Sequence, residues 1–311
     1  MWHGQVRRGG KLELVGIDVV DSTGSSAVFS EGQVTVTNCS FTRCITGTNN
    51  VMRSLEAAIS SGGAALRALG GAIQARGIEA ALLSTGSSFV ACAAQGKGVT
   101  SQGGAINAAA RVRIDTSHFE GNYVQGGTSE VCGGALYIEA HRMELVDSEL
   151  RLNEARGPTQ SYGGAFYIRD CSLFVPLVDG QPEFCKRPLP TDCGVQVRSV
   201  VFEKNEAFGG SSRCKAGALF IQNQRMCVNL TDSHFEANVA RDSGGNTEGG
   251  AVQVYDNAIL KISTTRFVRN RAQGGLEQVR CPTTNVPTHP SRPLGRRAAR
   301  QALAPPPPSR H

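Results

Sequence analysis

Two histidines in this 311-residue chain stand in nearly identical surroundings that could support chemistry. The phrase HFEGN occupies residues 118–122 and HFEAN occupies 234–238, so His118 and His234 each lie two residues before a glutamate. A histidine beside a carboxylate suits acid–base catalysis or metal binding. These residues either converge on one site or recur because the fold repeats.

The phrase belongs to a repeat that is aligned by its phenylalanine. This anchor position recurs at Val19, Phe41, Phe89, Phe119, Leu150, Phe202, Phe235 and Phe267. Three residues later, five copies carry an asparagine: Asn122, Asn153, Asn205, Asn238 and Asn270. Two earlier copies carry Cys44 and Cys92 at that position. One residue type at one repeat position predicts a ladder of stacked side-chain amides that satisfy the turn.

Upstream of each anchor, apolar and polar residues alternate with a period of two. Val112 and Ile114 enclose one polar residue, and Val228 and Leu230 enclose another. This alternation predicts a short β-strand with one buried and one solvated face. The segment around Leu82 fits the register poorly.

Paired glycines follow the ladder position after about ten residues, in the elements GGAI, GGAL, GGAF, AGAL and GGAV. Paired glycines permit a sharp corner that a side chain would block. The predicted corner residues are Gly103, Gly104, Gly133, Gly134, Gly163, Gly164, Gly217, Gly249 and Gly250.

The spacing of 30 to 33 residues between most anchors, with dense glycines and two-residue alternation, argues against helical repeats. We predict an all-β fold, a right-handed single-stranded parallel β-helix (solenoid) of about eight coils over residues 9–275. The segment GGKLEL at 9–14 suggests that the chain begins in mid-solenoid and is a fragment.

The alternating GGA[ILV] and FxxN elements resemble the repeats of the chlamydial polymorphic outer-membrane protein family, over roughly residues 62–275. They are more loosely similar to right-handed β-helix domains at large. The resemblance implies a passenger domain like that of autotransporters, displayed at the cell surface and active in adhesion. The chain departs from the family in ending with a Pro/Arg-rich tail.

The net charge of +6 lies mostly in residues 276–311, which hold six arginines, one glutamate and eight of the 13 prolines. We expect this tail to be disordered. Because the remaining chain is nearly neutral, no nucleic-acid partner is predicted. No apolar run is long enough to span a membrane and no signal peptide is visible.

Parallel β-helices also carry pectate lyases and polygalacturonases, which need carboxylates on one face of adjacent coils. One outward column instead has mixed charge: Arg113, Glu144, Gln196, Asn229 and Lys261. The next contains a single acid: Asp115, Val146, Arg198, Thr231 and Ser263. We therefore expect no catalytic residues, no metal site and no cofactor.

The histidine and glutamate positions vary between copies. Glu149, Val201 and Arg266 occupy the position of His118 and His234. Glu120, Glu203 and Glu236 each follow an anchor, but Arg151 and Val268 hold that place elsewhere. We interpret both columns as a solvated surface of the repeat.

Ten cysteines without a CxxC array favour an oxidising compartment over a zinc site. If their coils are adjacent, Cys44 and Cys92 are close enough to form a disulfide bond, and we predict that they do. The 48 residues between them also leave room for an intervening coil around Gly62–Ala72.

The repeat is interrupted between Leu150 and Phe202, where residues 171–193 form an insertion loop. Insertions in solenoids are extruded and often carry the binding face. The loop holds four candidate contact residues: Phe174, Phe184, Lys186 and Arg187. Its cysteines, Cys171, Cys185 and Cys193, could staple it to itself or to Cys214 in the following coil.

The sequence thus predicts a non-enzymatic, surface-displayed or secreted protein with an adhesive or structural role. Its expected partner is a cell-surface or matrix protein or glycan, and its expected location is extracellular or the cell surface. The alternative is a pectate-lyase-like carbohydrate-active enzyme or a polysaccharide-binding module.

Overall fold

The computed structural model describes seven stretches of the chain: residues 3–47, 67–96, 100–126, 130–140, 142–169, 193–222 and 226–274. These stretches contain β-strands and no helix, and strands of successive coils pair in parallel. None of the described residues forms a helix of the length and apolarity needed to cross a membrane.

The strands lie in four sheets that run along the axis of a parallel β-helix. Sheet A contains two rows of strands. The first row is Gly4–Val6, Val28–Ser30, Leu136–Glu139, Phe166–Arg169, Leu219–Gln222 and Val252–Tyr255. The second row is Lys11–Val15, Gln33–Thr37, Met143–Val146, Val195–Arg198, Cys227–Thr231 and Ile259–Ser263. Two long strands, Ile73–Thr85 and Ile106–Asp115, run through both rows.

Sheets B, C and D complete each coil with shorter strands. Sheet B consists of Asp18–Val20, Ser40–Thr42, Ser88–Val90, His118–Glu120, Glu149–Arg151, Val201–Glu203, His234–Glu236 and Arg266–Val268. Sheet C consists of Thr23–Gly24, Ile45–Thr46, Ala93–Gly96, Tyr123–Gly126, Glu154–Arg156, Glu206–Gly209, Val239–Asp242 and Arg271–Gln273. Sheet D consists of Arg67–Leu69, Thr100–Gln102, Glu130–Cys132, Gln160–Tyr162, Arg213–Lys215 and Asn246–Glu248.

Each strand of sheet B carries one anchor, so we number coils 1 to 8 by their anchors in chain order. The anchors pair from coil to coil in a single register, from Val19 opposite Phe41 to Phe235 opposite Phe267. The predicted β-helix of about eight coils is therefore confirmed. Phe41 pairs directly with Phe89, so no further coil lies between coils 2 and 3.

The core lies inside the coils and is built from columns of identical or similar side chains. Phe41, Phe89 and Phe119 stack with ring centroids 5.1 and 4.8 Å apart. After Leu150, the stack resumes at Phe202 with centroid distances of 4.4 and 4.9 Å along its next two steps. The parallel register sets this spacing, because equivalent residues of neighbouring strands lie about 4.8 Å apart.

Two backbone positions in every coil adopt positive φ, three residues before the anchor and two residues after it. Most of these residues are not glycine; Thr116 has φ of 48° and Leu152 has φ of 55°. The conformation turns the N–H toward the next coil, where Thr116 bonds to Val146 O and Leu152 to Glu203 O. In coils 1 to 7 a cross-coil hydrogen bond thus holds each strained turn in place.

The glycine corners bring the backbones of adjacent coils into close approach. Gly133 has φ of 67°. A Cβ on Gly134 would lie 2.0 Å from the carbonyl oxygen of Gly164 in the next coil. Coil 7 departs from the pattern, because Ala216 occupies the first glycine position with φ of 60°.

Sequence alternation was weakest around Leu82, and the structure has its irregularity there. The pairing of Ile73–Thr85 with Ile106–Asp115 shifts register between Arg76 and Ala81. Leu82 itself is buried and pairs in register with Val112. Between these paired positions Ile73–Thr85 has four residues and Ile106–Asp115 has one, so three extra residues disturb the local pattern while the column is kept.

The two glycines of one corner should differ in their tolerance of a methyl group. A Cβ on Gly133 would lie 2.0 Å from Leu136 O of its own turn, but coil 7 shows that this turn can adjust to alanine at the first position. Gly133→Ala should therefore lower the free energy of unfolding by about 2 kcal/mol, the cost of a left-handed residue. Gly134→Ala places its methyl against a backbone carbonyl and should cost about 3 kcal/mol or more. Urea unfolding of both variants measures the difference, and equal costs would contradict the close approach of coils 5 and 6.

Candidate functional site

The five predicted asparagines form one column in which each amide joins three coils. Asn205 Oδ1 accepts both the backbone N–H and the side-chain Nδ2–H of Asn153, each at 3.0 Å. Its Nδ2 donates to Leu150 O at 2.8 Å and to Asn238 Oδ1 at 2.9 Å. Asn122, Asn153, Asn205 and Asn238 are completely buried. The column satisfies buried turn groups and offers no amide to a ligand.

Cys44 and Cys92 lie in adjacent coils of the same column, but both are free thiols, so the predicted disulfide is wrong. The Cys92 thiol donates to Phe41 O at 3.3 Å, and the Cys44 thiol donates to Val19 O at 3.8 Å. Each sulfur therefore reaches a carbonyl of the preceding coil, as the asparagine amides do. The two thiols also lie within hydrogen-bond reach of each other, and the hydrogen bond from Cys92 lowers the pKa of Cys44. Burial raises the pKa of the Cys92 thiol well above its usual range.

A second ladder, made by serine, was not predicted. Ser117 N–H donates to Ser148 Oγ at 3.1 Å, and the Ser117 hydroxyl donates to Asp115 O at 2.9 Å. Val200 N–H bonds in the same way to Ser233 Oγ at 3.2 Å. The serine that precedes each HFE phrase was the sequence signal for this ladder. These hydroxyls are engaged in the turn between sheets A and B.

The histidines lie on the outward face of sheet B among alternating charges. His118 Nε2 lies 3.0 Å from Glu120 Oε2, and its Nδ1 lies 3.4 Å from Glu149 Oε2. His234 Nε2 lies 3.0 Å from Glu236 Oε2. Both histidine side chains are about one-third exposed, at 34% and 30%. This face is a partly solvated ionic surface that lies outside the core.

Two carboxylates of this face, Glu203 and Glu236, are held ionised by their neighbours. A hydrogen bond from Lys204, at 2.8 Å, lowers the pKa of Glu203. Hydrogen bonds from His234 and then Arg269 lower the pKa of Glu236. A general acid needs the opposite shift, toward neutral pH. Glu203 and Glu236 are adjacent in register. Both are therefore ionised, and they balance the charges of their basic neighbours instead of holding a proton to donate.

The structure also pairs the charges of the outward column in sheet A. Arg113 lies 3.4 Å from Glu144 in the next coil and 3.6 Å from Asp115 in its own strand. Asn229 donates to Gln196 at 3.1 Å. In the described stretches, His, Cys, Asp and Glu side chains form no group of three or more that could hold a metal ion.

A cluster that the sequence analysis missed lies outside the main core, where the first row of sheet A meets sheet D. This outer cluster consists of Cys132, Tyr137, Tyr162, Tyr167, Ala216 and Phe220. Ring centroids are 5.0 Å apart for Tyr137 and Tyr167, and 5.3 Å for Tyr167 and Phe220. The signal was the middle residue of LYI, FYI and LFI, which alternation places on the outward face.

An ion pair is buried at the edge of the outer cluster. Glu139 and Arg169 side chains are only 1% and 16% exposed, and the guanidinium Nε donates to the carboxylate at 2.9 Å. Tyr137 donates its hydroxyl to the same carboxylate at 2.7 Å. Burial lowers the pKa of Arg169, but Tyr137, Glu139 and Tyr167 outweigh burial and raise it overall. Arg169 is thus a fixed cation directly before residues 170–192.

Cys193, the first described residue after that segment, forms a disulfide with Cys227 of the next coil. Their Cα atoms are 4.5 Å apart. The proposed alternative partner Cys214 is a free thiol that donates to Ala207 O at 2.9 Å, and burial raises its pKa to about 12.

The candidate contact residues of the insertion lie outside the described stretches: Phe174, Phe184, Lys186 and Arg187, with Cys171 and Cys185 beside them.

The outer aromatic stack ends at the surface of coil 8. Tyr255 follows Phe220 at a centroid distance of 6.4 Å and is 37% exposed. The Lys215 ammonium lies 3.7 Å from the centre of the Tyr255 ring and 3.7 Å from Glu248. Burial lowers the pKa of Lys215, although Glu248 acts in the opposite direction. Here a partly exposed aromatic face adjoins a cation, and a carboxylate lies beside that cation.

Fold and surface together define a parallel β-helix repeat protein with paired outward charges. No protein family, curated protein or solved structure matches the chain.

The asparagine ladder should be weaker at its end than at its centre. Asn205→Ala leaves the buried amide groups of Asn153 and the carbonyl of Leu150 without partners, so it should lower the free energy of unfolding by about 1–3 kcal/mol. Asn270→Ala, in the partly exposed last coil, should cost less than about 1 kcal/mol because water replaces the lost bonds. Urea unfolding of the two variants tests this order; the reverse order would contradict the ladder.

The thiols should fall into two groups when the chain is treated with iodoacetamide and mapped by mass spectrometry. In the folded state Cys44, Cys92 and Cys214 should stay unmodified because they are buried. Unfolding without reductant should expose all three to alkylation, whereas Cys193 and Cys227 should react only after reduction. Protection of Cys44 and Cys92 in the unfolded, unreduced chain would instead show that they are bridged.

Proposed function

We propose that the chain is a non-enzymatic β-helix, secreted or displayed at a cell surface, that serves as an adhesive or structural rod. The resemblance of its GGA and FxxN elements to the chlamydial polymorphic outer-membrane protein repeats supports an adhesive role. The disulfide between Cys193 and Cys227 supports an oxidising, extracellular setting.

The observation that carries the proposal is the continuity of the columns along the axis. Sheets B and C run through all eight coils, and the amide ladder links five of them without a gap. Eight coils at the spacing of paired strands make a rod about 40 Å long. The outward charges described above are paired along this rod, so its surface is close to neutral. Such a rod suits the separation and presentation of contact surfaces.

The connection formed by residues 170–192 is the best candidate for the contact surface. The buried pair of Arg169 with Glu139 holds its start, and the disulfide of Cys193 with Cys227 holds its end. A segment whose ends are fixed loses less conformational entropy on binding. We propose a cell-surface or matrix protein or glycan as its partner.

A polysaccharide-binding role is the second candidate, and Tyr255 favours it. Sugars pack against exposed aromatic faces that have polar groups nearby. The Tyr255 ring is partly exposed and adjoins Lys215, and Glu248 lies next to that lysine.

Binding to host-cell and matrix preparations should depend on the connecting segment. Replacing residues 172–192 with a short Gly/Ser linker should abolish binding while leaving the β-rich circular dichroism and thermal melt nearly unchanged. The matched control is Leu83→Ser, which removes an exposed apolar side chain three coils away and should bind as the parent chain does. Undiminished binding by the folded linker variant would place the contact elsewhere on the rod.

The same preparations distinguish the second candidate. Tyr255→Ala should leave cell and matrix binding intact under the adhesive proposal, whereas selective loss of binding to a polysaccharide panel would favour the polysaccharide role. The chain is also incubated with polygalacturonate and alginate, with and without calcium. Saturable turnover of either polymer would overturn the non-enzymatic proposal.

A further inference from the structure

An amine, a carboxylate and a carboxamide meet at the corner where sheet D joins the first row of sheet A. Lys215 and Glu248 are partners in neighbouring strands of sheet D, and Gln253 follows Glu248 across the paired glycines. The Lys215 ammonium lies 3.7 Å from Glu248 Oε2, and Gln253 Nε2 donates to that same oxygen at 3.2 Å. One carboxylate oxygen therefore contacts both nitrogen groups.

The amine and the carboxamide are shielded from water. The Lys215 side chain is 6% exposed, and Gln253 is 8% exposed. Aromatic residues lie beside both groups, because Phe220 pairs with Gln253 in sheet A and the Tyr255 ring centre lies 3.7 Å from the Lys215 ammonium. Exclusion of water favours reaction of the side chains with each other over reaction with solvent.

The carboxamide of Gln253 is bonded through its nitrogen alone. Nε2 donates to Glu248 Oε2 and, at 3.4 Å, to Val254 O. Oε1 is buried and has no hydrogen-bond partner among the described residues. A buried carbonyl oxygen without a partner is costly, so its presence calls for an explanation. The atom that these contacts hold is the nitrogen, which is the leaving group when an amide is attacked.

Lys215 has the surroundings of a nucleophilic amine. Burial lowers its pKa, although Glu248 acts in the opposite direction. A lysine in a desolvated site is activated because more of it is present as the neutral amine. Glu248 contacts both the amine and the amide nitrogen, so it can carry protons from one to the other. The three side chains together supply a nucleophile, a proton carrier and an acyl group.

We propose that Lys215 and Gln253 join in an intramolecular isopeptide bond, with Glu248 as the catalytic residue. The bond between Lys215 Nζ and Gln253 Cδ forms, and the bond between Cδ and Nε2 breaks. The Lys215 ammonium gives up two protons, which Glu248 passes to Nε2, and that nitrogen leaves as ammonium. No oxidant or reductant takes part, because nothing changes oxidation state. The bond ties successive coils together covalently, and it does not depend on the adhesive role.

Mass spectrometry of the full chain, denatured and reduced, tests the proposal. The chain should be lighter than its sequence by one ammonia molecule, and trypsin should release a branched peptide that joins Lys215 to Gln253. Lys215→Arg and Gln253→Met each remove one reactant and should restore the full sequence mass. Glu248→Ala keeps both reactants but removes the proton carrier, so it should also show the full mass. The matched control is Lys204→Arg, which replaces an exposed lysine 2.8 Å from Glu203 and should keep the mass deficit.

Each other outcome overturns the proposal. A parent chain with its full sequence mass has no such bond, whether or not the variants fold. A mass deficit without the branched peptide assigns the lost ammonia to another residue. A deficit that survives Lys215→Arg or Gln253→Met identifies a different amine or acyl group, and one that survives Glu248→Ala removes Glu248 from the reaction.

Discussion

Every residue in a solenoid coil must be compatible with its counterparts directly above and below it, and this constraint governs the molecule. The parallel register fixes the distance between counterparts, so a polar group in the interior must find its partner in its own turn or in a neighbouring coil. Asparagine suits this requirement because one amide both donates and accepts. Asn153 and Asn205 therefore share two bonds, one from the backbone and one from the side chain. The constraint extends to the turns, whose left-handed residues are held by cross-coil N–H bonds.

The same constraint shapes the outward faces. On sheet B, Arg151 pairs with Glu149 of its own strand and with Glu203 of the next coil. The stacked carboxylates Glu203 and Glu236 are compensated by Lys204 and Arg269. Glu120, Glu149, Glu203 and Glu236 of this face each have a basic partner. The outer cluster shows the other solution, in which aromatic rings stack outside the core and exclude water from a buried ion pair. The outward positions thus form either columns whose charges compensate each other or columns of apolar rings.

The structural features that repeat in most coils could be predicted from the sequence, whereas features that occur in only a few coils could not. Phe119, Asn122 and the paired glycines recur in register, so the coil number and the main columns could be predicted. The Cys44–Cys92 disulfide was wrong because stacking in one column sets the spacing of the two side chains but does not decide whether they are oxidised; each thiol instead donates to a carbonyl of the preceding coil. The strands of sheets C and D are only two to four residues long, which is too short for alternation of apolar and polar residues to predict them. The outer cluster depends on which residues converge between two sheets, and no spacing along the chain encodes that.

Successive asparagines of the ladder are joined by the same pair of hydrogen bonds, and this affects how such a chain can change its length. Asn122 donates to Asn153 the same pair of bonds that Asn153 donates to Asn205, whether the two asparagines are 31 or 52 positions apart. A whole coil can thus be duplicated or lost by recombination with every junction still matched, while a partial coil would break all four sheets at once. Lineages carrying this repeat can therefore vary the reach of the rod in whole-coil increments, with no new core to evolve.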